Sequence, residues 1–291
     1  MSAEASSEPA PNEPQSKHLV VGALRLHYLE AGRGAPLVLL HGTAIDAAHL
    51  SFGPSLAALA ERHRVLALDW PGYGRSEYPP EHLGMEEYLE LLLGFVEALG
   101  LGEFHLLGFS MGGAVALGAA LAMPERVRSL VLVGSYGLGR RLHVPLLPYL
   151  ALRTPRLGAN VLLGLRLSRR LTALVLRRLV FARARSVSSA LVDEVYAHLK
   201  RPLVERAFMA WLRGELGPLH YGTSYRERLG EVRQPTLVLH GARDLVVPAR
   251  EAKRAAKALP QGRLKLVARC GHWLMREQPE VFEREVLAFL N

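Results

Sequence analysis

Short, unbroken apolar runs recur along the chain, and stretches with helical spacing separate them. Leu37 to Leu40, Val65 to Leu68, Phe104 to Leu107, Leu130 to Val133, Thr236 to Leu239 and Leu264 to Val267 are such runs. Continuous apolar segments of this length suit strands buried on both faces, as in a parallel sheet. Ahead of them, Leu19 to Glu30 alternates enough to predict two short strands joined at Gly22. Ser55 to Glu61, Glu86 to Leu99, Met111 to Leu121, Ala249 to Leu259 and Pro279 to Phe289 carry the spacing of helices. Strands alternating with helices imply an α/β fold built on a mostly parallel, doubly wound sheet with right-handed crossovers. Such sheets bind ligands at the carboxyl ends of their strands, so chemistry is expected in the loops that follow the apolar runs.

The rhythm breaks between residues 136 and 225. A leucine–arginine pattern there, interrupted by Pro145, Pro148, Pro155, Pro202 and Pro218, predicts several short helices and no strand. This segment reads as a helical cap inserted into a core domain made of residues 18–135 and 226–291. Residues 1–17 are rich in Ser, Ala, Glu and Pro and read as a disordered tail, because they offer no apolar surface to offset the entropy of ordering.

At 291 residues, 49% of them hydrophobic, the chain has enough material for one large α/β domain with an insertion. No apolar run is long enough to span a bilayer, and the N-terminus has no basic region followed by an apolar stretch. With Cys270 as the single cysteine no intrachain disulfide can form, and a cytoplasmic location is the expectation. The formal charge of +9 raises the question of a nucleic-acid partner. The excess concentrates between Arg140 and Arg233, where arginines alternate with Leu, Val and Ala and almost no base-stacking aromatics intervene. A solvated, arginine-rich helical surface is the better reading, and no nucleic-acid partner is expected.

Gly108-Phe109-Ser110-Met111-Gly112 matches G-x-S-x-G, directly after one apolar run and directly before a helical segment. A sharp strand-to-helix turn forces the serine into a strained conformation, with glycines relieving the crowding around it. Its hydroxyl then projects above the sheet at a helix N-terminus that favours negative charge. A serine is a poor nucleophile until a base takes its proton, and His272, in the loop after the last apolar run, is placed to be that base. Asp244, in the loop after Thr236 to Leu239, is the candidate to orient the imidazole and stabilise its cationic form. Rivals have other expected roles. His240 is expected to pack the Asp244 loop, His41 to have a structural or oxyanion-loop role, and Asp69 to accept backbone hydrogen bonds in the turn that follows it. Cys270 is expected to be a small packing residue. The histidines lack metal-binding spacing, so neither a metal nor a cofactor is expected.

Through LLHGTA, DWPGYGRS, GFSMGG, HGARDLVVP and CGHW, in that order, the chain resembles the α/β-hydrolase family over essentially everything after the tail. The resemblance implies an oxyanion hole from the backbone N–H groups of Thr43 and Met111. Phe109, beside the nucleophile, and Trp273, beside the base, are the candidate substrate-binding side chains. A serine at the elbow, in place of the aspartate of the dehalogenases and epoxide hydrolases, points to acyl transfer. The first expectation is a carboxylesterase that cleaves a small or medium ester through an acyl-enzyme on Ser110.

A C–C bond hydrolase of the meta-cleavage-product type is the alternative, since CGHW and SYGLG resemble segments of that subfamily. Its members usually carry an asparagine where Phe109 stands and a glycine-rich loop where HGTAIDA stands. Perhydrolase activity shares the same triad. From a different functional class, a small-molecule receptor of the same fold would bind without turnover.

Overall fold

The apolar runs become the inner strands of an eight-stranded sheet in the computed structural model, which describes residues 12–79, 83–139, 164–215, 217 and 220–291. The strands are β1 (Gln15–Val21), β2 (Leu24–Ala31), β3 (Ala35–Leu40), β4 (His63–Leu68), β5 (Phe104–Phe109), β6 (Val127–Val133), β7 (Thr236–Gly241) and β8 (Gly262–Val267). Their order in the sheet is β1-β2-β4-β3-β5-β6-β7-β8, with β1 and β2 antiparallel to their neighbours and the rest parallel. In β3, Leu37, Val38, Leu39 and Leu40 are all fully buried, as are Leu106 and Leu107 in β5 and Leu130 to Val133 in β6. Each such side chain removed from water contributes about 1.5–3 kcal/mol, so the central strands are the best anchored part of the molecule.

Two strand readings change in the structure. β1 begins at Gln15, inside the segment that composition marks as tail, because its backbone pairs with β2 in register from Gln15 opposite Glu30. Pairing supplies hydrogen bonds that side-chain composition does not report. β8 has the apolar look of an inner strand but forms the sheet edge, and Leu264 is 39% exposed. Residues 1–11 of the expected tail and 140–163, 216, 218 and 219 of the expected cap, with Pro145, Pro148, Pro155 and Pro218, lie outside the described residues.

Helices cover the sheet: α1 (Ala48–Phe52), α2 (Leu56–Ala60), α3 (Met85–Ala98) and α4 (Met111–Ala122) precede the insertion. α3 starts where the Gly84 N–H donates to the Glu87 carboxylate at 2.8 Å, which satisfies one orphan amide of the first turn. Between β6 and β7 the described elements include α5 (Arg169–Val175), α6 (Ser189–Leu199) and α7 (Pro202–Glu215). α5 and α6 are capped by Ser168 and Ser188, whose side chains accept from Leu171 and Leu191 N–H at 3.2 and 3.1 Å. A single turn of π-helix, Leu176–Val180, leads out of α5. The chain closes with α8 (Ala249–Ala258), α9 (Leu274–Glu277) and α10 (Pro279–Leu290).

The insertion is fastened to the loop that carries His272. The His272 N–H donates to Val180 O at 2.8 Å. The buried Glu277 carboxylate accepts from Gly271, Ala182 and Arg183 N–H at 2.7, 3.1 and 2.7 Å. Among the insertion's described arginines, Arg169 pairs with Asp193, Arg166 with Glu205, and Arg183 donates to the Glu277 carbonyl at 2.7 Å. Among the described residues no helix is long and apolar enough to cross a membrane, and no group of His, Cys, Asp and Glu is arranged to hold a metal ion.

Candidate active site

Ser110 sits at the junction of β5 and α4 with φ 52° and ψ −117°, one of three non-glycine residues with positive φ among those described. Holding a serine there costs on the order of 1–3 kcal/mol, which the surrounding structure must impose. Close packing imposes it. A Cβ on Gly108 would strike the Gly112 carbonyl, and one on Gly112 would strike the Leu40 and His41 carbonyls, so both elbow glycines are needed for clearance. The Ser110 N–H donates to Val133 O at 3.0 Å, and its carbonyl accepts from Gly113 and Tyr136 N–H at 3.0 and 2.9 Å.

The loops after β5, β7 and β8 bring three side chains together. His272 Nε2 lies 3.1 Å from Ser110 Oγ, and His272 Nδ1 lies 2.7 Å from Asp244 Oδ2. The other Asp244 oxygen accepts from Val246 and Val247 N–H, both at 2.8 Å, so the carboxylate is aimed before the histidine arrives. Burial pushes the Asp244 carboxyl up, but the His272 ring, by charge and hydrogen bond, holds it below the usual carboxylate range. An ionised Asp244 fixes the proton on Nδ1 and leaves Nε2 free to accept the serine proton.

Thr43 and Met111 flank the serine. Among the described residues neither backbone N–H meets a protein acceptor, whereas the Gly42 N–H is occupied by Asp46 Oδ2 at 2.7 Å. The Thr43 hydroxyl is 2.6 Å from the Tyr73 hydroxyl, which turns that side chain away from the amide's task. The loop that carries it turns on Ala44, whose φ is 63°. Phe109 is 3% exposed and its ring centre lies 4.9 Å from that of His272. Trp273 is buried, and its one polar atom, Nε1, donates to Ser51 Oγ at 2.8 Å.

The rival residues are engaged elsewhere. The Trp70 N–H donates to His41 Nε2 at 3.0 Å, so the His41 proton is on Nδ1 and goes to Gly42 O at 2.8 Å. His240 Nε2 donates to Val247 O at 2.9 Å and lies 3.3 Å from Asp244, bracing that loop. Asp69 accepts from Ala48 and Arg75 N–H at 2.9 and 3.1 Å. Cys270 is fully buried, and burial raises its thiol far above the usual range.

Asp69 also ends a second serine–histidine–aspartate chain that sequence reading missed. Ser16 Oγ lies 2.8 Å from His27 Nε2, and His27 Nδ1 lies 2.6 Å from Asp69 Oδ2. Ser16, however, is paired near the start of an edge-strand ladder, and its oxygen receives Arg75 Nη1 at 3.0 Å. The set ties β1 and β2 to the turn after β4. Local sequence carries no signal for it, because its members come from three separate segments.

The comparisons bear on the fold and the family. Residues 35–279 match the family model described as alpha/beta hydrolase fold. The chain belongs to the α/β-hydrolase fold family. Among α/β-hydrolases of known activity it is 30% identical to a 2-hydroxy-6-oxo-6-(2'-aminophenyl)hexa-2,4-dienoic acid hydrolase of Metapseudomonas resinovorans, over 99% of this chain and 95% of that one. A solved 2-hydroxy-6-oxo-6-phenylhexa-2,4-dienoate hydrolase from Rhodococcus sp. strain RHA1 superposes with a TM-score of 0.82 at 25% identity, covering 96% of this chain and 99% of its own. A bacterial membrane phospholipase A superposes with a TM-score of 0.78 at 26% identity, covering 95% and 86%. This α/β-hydrolase is thus a hydrolytic enzyme by family, and its relatives favour the C–C alternative over the ester expectation.

Proposed function

We propose that the protein is a serine hydrolase that cleaves the C–C bond beside a ketone in 2-hydroxy-6-oxo-dienoate substrates. The observation that carries this is the near full-length similarity to an aminophenyl-substituted dienoic acid hydrolase. In such a substrate the 6-oxo group is a ketone with no heteroatom leaving group, so hydrolysis there must break a bond to carbon. Ser110 Oγ attacks C6 while His272 Nε2 accepts its proton. The oxyanion meets the Thr43 and Met111 amides, each such donor contributing about 3 kcal/mol in the transition state. C5 is vinylic in the dienol, so the 2-OH proton must first move to C5. Collapse then expels C5 with its electron pair delocalised onto the C2 oxygen as a dienolate, which takes the proton back from His272. Water, deprotonated by His272, then releases the acid from Ser110. Asp244 stabilises the imidazolium in both halves.

Ester hydrolysis by the same steps is the second reading. Phe109 favours it: an apolar ring stands where an amide would bind a dienoate, and the phospholipase shares the fold over most of both chains. The test runs 2-hydroxy-6-oxo-6-phenylhexa-2,4-dienoate beside p-nitrophenyl esters from acetate to palmitate, each with a Ser110→Ala control. Serine-dependent loss of the dienoate chromophore at a higher kcat/KM than any ester supports the first reading. Ester turnover with an inert dienoate replaces it with the second. No turnover of either, with retained ligand binding, would leave a receptor.

A further inference from the structure

A buried carboxylate joins the two loops that serve Ser110. Asp46 is 2% exposed and follows the His41-Gly42 pair. Taking a carboxylate out of water is costly unless it is hydrogen-bonded or paired. The nearest ring nitrogen, His41 Nδ1, is 3.9 Å away and gives its proton to Gly42 O. Asp46 instead collects hydrogen bonds from the Gly42 N–H at 2.7 Å, the Ala47 N–H at 2.8 Å and Ser51 Oγ at 2.8 Å.

The direction of the chain is forced. An indole nitrogen can only donate, so Trp273 Nε1 gives its proton to Ser51 Oγ. The Ser51 proton then goes to Asp46. At one end of this chain Trp273 directly follows His272; at the other, Gly42 directly precedes Thr43. A Cβ built on Gly42 would lie 3.2 Å from Ser110 Cβ, which shows how closely the loop skirts the nucleophile. Burial pushes the Asp46 carboxyl up to about 7, against its hydrogen-bond donors and the charge of the His272 ring.

We infer that Asp46 is a positioning residue that sets the oxyanion loop and the histidine loop relative to each other through Ser51 and Trp273. It touches no reacting atom. It fixes the separation between the Thr43 amide and the imidazole, which must both address one tetrahedral centre. Removing any link lets the two loops settle independently, and a misplacement of a fraction of an ångström is felt in rate more than in binding.

The inference rests on Ser110 as nucleophile, not on which bond is cleaved. It is tested with a fluorophosphonate probe, whose phosphorus Ser110 Oγ attacks with loss of fluoride while His272 takes the proton. The full chain is compared with Trp273→Phe, Ser51→Ala and the double variant, with thermal melting alongside. Each single variant is expected to label about 10-fold more slowly, and the double variant no more slowly than the slower single. With p-nitrophenyl butyrate the loss should fall on kcat, with KM within about twofold. Wild-type labelling rates in both single variants, or losses that multiply in the double, overturn the relay. If Ser51→Ala does not fold, Trp273→Phe and Asp46→Asn carry the test, because the first keeps an aromatic ring while removing the indole N–H and the second keeps side-chain volume. Failure of the wild-type chain to label at Ser110 would instead remove the nucleophile assignment, and this inference with it.

Discussion

Mild acid is expected to weaken the fold through its buried histidines, above the range in which most carboxylates titrate. His41, His105 and His198 are all buried, and burial is the largest cause lowering each from the usual 6.5, to about 4 for the first two and about 3 for the third. A histidine whose folded value is depressed stays neutral in the native chain while the unfolded chain takes up a proton. Its stabilisation is therefore whole above about pH 6.5 and drains away as the pH falls toward the folded value. From pH 7 to pH 5 each of the three costs about 2 kcal/mol. Asp46 has the opposite sign: raised to about 7, it takes up a native-state proton that the unfolded chain does not. That offsets about 2 kcal/mol over the same interval, for a net loss of about 4 kcal/mol. Against a typical total of about 5–15 kcal/mol this is a large fraction. Urea unfolding followed by tryptophan fluorescence at pH 7, 6 and 5, at constant ionic strength, measures it directly. Near pH 5.5 the slope should be about 2 kcal/mol per pH unit, and His198→Phe should lower it by about one proton's worth, or roughly 1.2 kcal/mol per pH unit. An unfolding free energy that stays level from pH 7 to pH 5 would refute the reasoning.

Ser110→Ala should abolish turnover and fluorophosphonate labelling while the melting temperature stays near wild type, since alanine fits the same backbone; retained labelling at the wild-type rate would remove Ser110 as nucleophile. Asp244→Asn should keep the two backbone hydrogen bonds but present an amide N–H to His272 Nδ1, selecting the wrong tautomer. A kcat loss on the order of 10³–10⁴ with measurable residual activity is expected, and full rate would mean another acid serves the imidazole. Gly112→Ala should cost more than about 2 kcal/mol in urea unfolding, because its methyl group meets main-chain carbonyls that cannot rotate away. A neutral result there would mean that β3 and α4 can separate.

Much of the fold is legible in the chain because its signals are local. Leu37 to Leu40 is apolar without interruption, and such a run has few uses other than an inner strand. Gly108, Gly112 and the run before them mark the Ser110 elbow for the same reason, since clearance and strain are properties of adjacent residues. The edge position of β8 is not local: Leu264 looks like any inner leucine, and only strand order exposes it. α1 and α9 escape prediction because helices of one or two turns are held by tertiary contacts rather than by periodicity. Asp46, Ser51 and Glu277 are equally silent. Each is an ordinary polar residue in sequence, and its importance comes from burial and from partners up to 222 positions away. The preference for ester over carbon–carbon cleavage leaned on two local departures, Phe109 and the HGTAIDA loop, and whole-chain similarity weighs against it.

Ser16, His27 and Asp69 give this protein an internal control for what makes a hydrolytic centre. A template of three side chains would return two hits in one molecule, with the decoy at 2.8 and 2.6 Å and the Ser110 set at 3.1 and 2.7 Å. With Ser110 as the proposed nucleophile, side-chain spacing therefore ranks them the wrong way round. The main chain separates them: one serine is wound into a left-handed turn between uncommitted amides, the other lies flat in a ladder. Transplanting this activity to another scaffold would mean rebuilding the ribbon beneath the serine first, with the histidine and aspartate as the easier cargo.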